Sequence, residues 1–263
     1  MDRGMKDELK ELAGGLNPVR EALQAVILAS LQRSGAMRSL AFQGGTALRF
    51  LHSLPRFSED LDFALERPEA DYKLEDLARR IKADFQREGL DLELRMNASR
   101  TVHSLWLRFP GLLFDLGLSP LRDQILAIKL EIDTRPPAGA GLETSIVRLH
   151  RILNLQHHDK ASLLAGNLHA VLERNYLKGR DIYDLVWYLS DRTWPEPNLV
   201  MLNNALTQSG SDRAELEPNT WRAAVRQKIE SADLAKVAAD VGPFLERPEE
   251  LALLEREAIL SLL

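Results

Sequence analysis

The 263-residue chain has no cysteine, which excludes disulfide staples, thiolate zinc sites and cysteine nucleophiles. It has no excess of positive charge: 34 lysines and arginines stand against 39 aspartates and glutamates, a net charge of −5. A protein that coats nucleic acid non-specifically is therefore excluded, although a local basic patch is not. No apolar run approaches the ~18–20 residues of a membrane span, and Met1 to Leu12 lacks the apolar core of a signal peptide. A cytoplasmic protein without a membrane partner is expected. Walker A and Gly-x-Gly-x-x-Gly sequences are both missing, so P-loop and dinucleotide-binding readings have no support. The six histidines show no metal-ligand spacing. What is there is an ordinary globular balance, 45% hydrophobic and 28% charged, enough for one large domain or two modest ones.

Residues 5–34 read as helices, with Asn17 as N-cap, Pro18 at the first helical position, and Val19, Leu23, Val26, Ile27 and Leu31 at helical spacing. From Ser39 the pattern becomes mixed. Leu40 to Phe42 is a short strand running into Gly44-Gly45, and Asp60 to Leu65 alternates acid and apolar residues as a strand does. Residues 70–88 look helical; Leu90 to Met96, Leu105 to Phe109 and Ile128 to Asp133 read as strands, and Arg135 to Gly141 as a loop. After His150 strand signals stop, and helices are expected over roughly 157–174, 180–190, 198–208, 218–230 and 248–262. The expected fold is α+β: a mixed-sheet domain over 1–150 with N-terminal helices, then an α-helical domain over 151–263.

One stretch carries chemistry. A strand ends in Gly44-Gly45, which permit a tight turn and close backbone approach to a ligand. A helix starting at Thr46 would offer free N–H groups to a phosphate. The next strand carries Asp60 and Asp62, two residues apart and so on one face, roughly 6.5–7 Å between Cα atoms. Two carboxylates that close repel unless a cation lies between them, and the hard cation that also binds triphosphates is Mg²⁺. A bare Asp-x-Asp is more often the solvent side of a strand; the glycine turn upstream reverses that preference. Lys129, Glu131 and Asp133 share another strand face. Asp181 falls in a first helical turn, where the dipole alone would stabilise it.

Phe42-Gln43-Gly44-Gly45-Thr46-Ala47-Leu48-Arg49, followed by Arg56-Phe57-Ser58-Glu59-Asp60-Leu61-Asp62-Phe63, resembles the AbiEii/AbiGii toxin family, nucleotidyltransferases of the DNA polymerase β-like superfold. Ile128-Lys129-Leu130-Glu131-Ile132-Asp133 resembles the family's strand with a third acidic position, and Lys178-Gly179-Arg180-Asp181-Ile182-Tyr183-Asp184-Leu185 its C-terminal motif. The resemblance implies transfer of a nucleoside monophosphate from an NTP to an RNA acceptor such as a tRNA 3′ end, with Mg²⁺ as cofactor and a cognate antitoxin as partner. It implies metal-holding Asp60 and Asp62, a triphosphate cradle of Gly44, Gly45, Thr46 and Ser58, phosphate contact by Lys129, and Glu131 or Asp181 orienting or deprotonating the acceptor hydroxyl.

In one place the sequence departs from that pattern. The family usually carries a Lys seven residues before an Arg on the helix preceding the C-terminal motif; aligned through Arg174, that position is Asn167. An amide brings no positive charge to a triphosphate. Lys160, two turns back on the same face, is the candidate substitute; a nucleotide-binding module with weakened chemistry is the alternative reading. Between Arg148 and Arg180, Arg148, Arg151, Lys160, Arg174, Lys178 and Arg180 outnumber Asp159 and Glu173. That segment is either a solvated face or, through Lys160, Arg174, Lys178 and Arg180, a surface for RNA. Trp187 and Tyr188 read as helix-packing residues, and His157-His158 as helical neighbours pointing apart.

Overall fold

The computed structural model describes residues 4–67 and 72–263. Two helices come first, α1 (Met5–Glu11) and α2 (Leu16–Ser34), followed by β1 (Leu40–Gln43) and α3 (Gly44–His52). Next are β2 (Leu61–Leu65), α4 (Leu74–Arg87), β3 (Glu93–Asn97), β4 (Val102–Phe109), the single turn α5 (Leu112–Asp115), β5 (Leu126–Asp133), β6 (Leu142–Leu149) and β7 (Arg151–His158). Six helices follow: α6 (Lys160–Glu173), α7 (Gly179–Ser190), α8 (Leu199–Gln208), α9 (Trp221–Glu230), α10 (Leu234–Val241) and α11 (Arg256–Ser261). The fold is α+β. The chain divides into a unit of Met1–Leu51, Phe57–Arg135 and Thr144–His157, and a second of His52–Arg56, Pro136–Glu143 and His158–Leu263.

The sheet runs β3-β4-β5-β2-β1-β7-β6. β5 lies parallel to β2 and β1 parallel to β7, while β1–β2, β3–β4 and β4–β5 are antiparallel. The alternation on β5 decides its orientation. Leu126, Ile128, Leu130 and Ile132 are buried, whereas Lys129, Glu131 and Asp133 lie half-buried on the opposite face. Leu23, Ile27, Leu28 and Leu31 of α2 and Leu77, Ile81 and Phe85 of α4 supply the buried helix faces of this unit.

Several sequence expectations are corrected. Strands do not stop at His150: β7 follows it, after a turn in which His150 takes φ +56°. No Gly, Asn or Pro marks that turn, and Ile152 sits on the exposed side, so the alternation of buried Leu153, Leu155 and His157 is masked. His157 and His158 thus end a strand, both buried, with His157 Nε2 2.9 Å from Ser145 Oγ. α2 begins at Leu16 with Gly15 as cap, and Asn17 instead accepts from Arg20 Nη1 at 3.1 Å. α10, capped by Asp233, was not anticipated. The C-terminal helix is a 3₁₀ segment (Pro248–Leu254) followed by α11. Residues 70 and 71 of the expected 70–88 helix lie outside the described residues; α4 begins at Leu74.

Candidate active site

The first unit gathers carboxylates at the C-terminal end of β1. β1 gives way to α3 with no intervening turn, so the helix opens at Gly44, two residues before the expected Thr46. Gly44 has φ +76°, and a Cβ there would meet Asp62 Oδ2 at 2.7 Å. Conformation and space both demand glycine. Gly45 follows, half-buried, and its N–H belongs to the helix's unpaired first turn. Thr46 is fully buried, and its hydroxyl donates to the Asp60 carbonyl. Its side chain is thereby committed to holding the loop.

Two other contacts hang that loop in place. Gln24, buried in α2, donates its amide to the carbonyls of Ser58 (3.1 Å) and Glu59 (3.0 Å). Arg49 of α3 donates to Glu21 of α2 at 2.5 Å and lies 4.8 Å from the Phe57 ring. Asp60 is half-buried just before β2; Asp62 is inside it, in register with Gln43 on one side and Glu131 on the other. Glu131 takes an ion pair from Lys129 at 2.7 Å. Among the described residues no three His, Asp or Glu side chains converge as an all-protein metal cage. The donor set nevertheless fits Mg²⁺, which is held by one or two carboxylates together with water and substrate phosphates. The missing Cβ at Gly44 makes room for the Asp62 carboxylate against the helix start.

The second unit places Asn167, Arg174 and Asp181 together. Asn167 Nδ2 donates to the Asp181 carbonyl at 2.9 Å, while its Oδ1 is buried without a hydrogen-bond partner. Arg174 Nη1 stands 2.8 Å from Asp181 Oδ2, yet the angles do not make a hydrogen bond, and both atoms are buried. Burial raises the Asp181 carboxyl above the ordinary aspartate range, with Arg174 opposing and Asp184 reinforcing the shift. One turn on, Asp184 is forked by Arg56: Nε to Oδ1 at 2.6 Å, Nη2 to Oδ2 at 2.5 Å, both residues buried. Lys160 does not join the group. Its ammonium lies 4.7 Å from the Trp194 ring, which belongs to an aromatic cluster with Trp187, Tyr188 and His52. Lys178 caps α7, and Arg180 lies 4.6 Å from the Phe244 ring.

The model of the AbiEii family, described as nucleotidyl transferase AbiEii toxin, type IV toxin–antitoxin system, matches residues 26–256. The chain belongs to this family. Among solved structures it is similar to MenT4, a nucleotidyltransferase toxin of Mycobacterium tuberculosis, at 16% identity and TM-score 0.60, with 98% of this chain and 89% of that one covered. It is also similar to JHP933 of Helicobacter pylori, at 19% identity and TM-score 0.53, covering 92% and 90%. No curated protein matches it. This AbiEii chain is a nucleotidyltransferase toxin with the fold of those structures, and its family implies a cognate antitoxin. No helix among the described residues is long and apolar enough to cross a membrane.

Three residues that organise the AbiEii motifs were missed in the sequence. Gln24 was visible only as a lone amide among Leu23, Ala25, Val26 and Ile27. Arg56 and Asp184 each stand in a quoted motif, but nothing in their spacing says that they meet across 128 residues of sequence.

Proposed function

We propose that the protein transfers a nucleoside monophosphate from an NTP to the terminal hydroxyl of an RNA, such as a tRNA 3′ end, with Mg²⁺ as cofactor. The observation that carries this is Asp62: its carboxylate lies against Gly44 in α3's first turn, in the space a Cβ would fill, with Glu131 in register beside it. Asp60 and Asp62 would hold the metal, which when bound neutralises the triphosphate and polarises the α-phosphate. The first-turn amides of Gly44, Gly45 and Thr46 cradle the phosphates, with Ser58 and Lys129 at the rim. The acceptor oxygen forms its bond to the α-phosphorus as the α–β phosphoanhydride bond breaks, and pyrophosphate leaves with that electron pair. In-line displacement asks for positioning and charge neutralisation more than covalent help.

The hydroxyl proton needs a base. Glu131 lies 2.7 Å from the Lys129 ammonium and Asp181 2.8 Å from Arg174 Nη1, and burial raises the proton affinity of Asp181. Glu131 or Asp181 would take this proton. The RNA role of the basic segment is narrowed, because Arg151 pairs with Glu8, Arg174 with Asp181, and Lys160 and Arg180 lie on aromatic rings. Asn167 supports a second reading, slow transfer with nucleotide binding intact, because it meets Asp181 with an amide and no charge.

The test is calorimetry of Mg²⁺ and each NTP on the wild type and on Asp60→Asn/Asp62→Asn, with transfer to total RNA followed by label. The double variant is expected to stay folded and to lose Mg²⁺-dependent NTP binding and transfer. Unchanged binding in that variant places the nucleotide elsewhere.

A further inference from the structure

The outer strands of the sheet have one closed face and one open face. On β4, Leu105, Leu107 and Phe109 are buried, with Phe109 against Phe85 of α4 at 5.1 Å between ring centroids. The opposite side of β4 carries Val102, Ser104, Trp106 and Arg108. Trp106 is 41% exposed in the middle of this strand. A single exposed aromatic is ordinary on a protein surface; the neighbours of this one are not. It is in register with exposed Arg95 on β3 and with Lys129 on β5, whose ammonium lies 5.4 Å from the ring centroid. The next pairs along the same face are Ser104 with Glu131 and Glu131 with Asp62. Trp106 is thus a diagonal neighbour of Glu131, their Cα atoms ~7–8 Å apart across the sheet, on the face that holds the carboxylates.

We propose that Trp106, beside Arg95, seats the acceptor: a single-stranded RNA end whose base stacks on the indole and whose phosphate meets the Arg95 guanidinium, while Lys129 stays paired with Glu131. This rests on the transfer reaction proposed above. Only an unpaired base offers a free π face, so the seat selects single-stranded ends over duplex. Stacking on one ring tolerates any base, and the Arg95 guanidinium adds attraction to a phosphate without reading sequence. The carboxylates begin one residue pair further along the same face, so a strand seated on the ring brings its terminal hydroxyl towards them.

The experiment uses the full chain and a dye-labelled single-stranded RNA of about 12 nucleotides with a free 3′-hydroxyl, its binding followed by anisotropy without metal or NTP. Trp106→Ala is expected to weaken RNA binding about tenfold or more, and Trp106→Phe, which keeps a stacking ring, to restore most of it. Arg95→Ala should weaken binding and reduce the slope of log affinity against log salt by about one. Mg²⁺–NTP binding should be unchanged in Trp106→Ala and Arg95→Ala, and in transfer assays the RNA KM of Trp106→Ala should rise more than its kcat falls. Equal RNA affinity in wild type and folded Trp106→Ala overturns the proposal. So does loss of NTP binding with RNA binding intact, which would give the ring to the nucleotide. If the wild type transfers nothing yet binds RNA through Trp106, the transfer reading fails and the RNA seat stands.

Discussion

Asp181 and Asp184 sit one turn apart on α7, each beside an arginine, and they are satisfied to opposite degrees. Asp184 is sealed in: Arg56 forks both of its oxygens. Burial pushes its carboxyl up and the guanidinium opposes it. Asp181 has its arginine at the same range but outside hydrogen-bond geometry, and its second polar neighbour, Asn167, bonds its main chain and not its carboxylate. A bidentate guanidinium stabilises the ionised carboxylate and lowers its affinity for a substrate proton more than an ion pair without hydrogen-bond geometry does. The two carboxylates thus stand at a like distance from an arginine and differ in the completion of their hydrogen bonds.

The sharpest way to break the contrast is to remove Asp184. Asp184→Ala removes the carboxylate that the buried Arg56 guanidinium forks, and about 3–5 kcal/mol of unfolding free energy should be lost in a denaturant titration. A loss below about 1 kcal/mol would mean that the fork is replaceable. Asp181→Asn should do the reverse, cutting transfer by about 10²-fold or more while thermal stability holds or rises. The sign follows from linkage. Because the folded protein binds the Asp181 proton more tightly than the unfolded chain, this residue's contribution to stability declines as pH rises from the ordinary aspartate value through the raised one. A neutral amide abolishes that decline. Transfer by the wild type should climb with pH over the same window, as the base loses its proton, and Asp181→Asn should lose that limb; an unchanged pH profile in the variant removes Asp181 from the proton's path.

A smaller effect tests the charge at position 167. Asn167→Lys gives Asp181 a second cation, and so a setting closer to that of Asp184. Transfer is expected to quicken at least about tenfold by analogy with restoring one charge-stabilising donor, and the acid limb to move to lower pH. Lys160→Ala, by contrast, should change single-turnover rates by no more than about threefold, since that ammonium lies on Trp194. A severe Lys160→Ala defect with an inert Asn167→Lys would reverse these assignments.

Much of this was written in the order of the residues. The alternation from Lys129 to Asp133 announces a strand with one acidic face, and Gly44 before Asp60 and Asp62 announces a backbone approach. Local patterns could not give the register that sets Glu131 beside Asp62 and Trp106 beside Lys129, because register is a property of strands far apart in sequence. Nor could they show that Thr46, read as a phosphate ligand, turns its hydroxyl inward to the Asp60 carbonyl. β7 was hidden by an unmarked turn at His150, whereas α10, with Asp233 ahead of Leu234, Val237, Ala238 and Val241, was legible and simply unread.

The place of β1 in the sheet also sets when the candidate site can be completed. β1 is four residues long and lies between β2 and β7, with Phe42 paired to His157. On the ribosome, the strand that delivers Gly44 therefore gains its second neighbour only after more than half of the chain has been made. A short strand held on one side is a poor anchor for a helix start that must stay within contact of Asp62. The nascent chain therefore carries β1 with a single neighbour until β7 has been made.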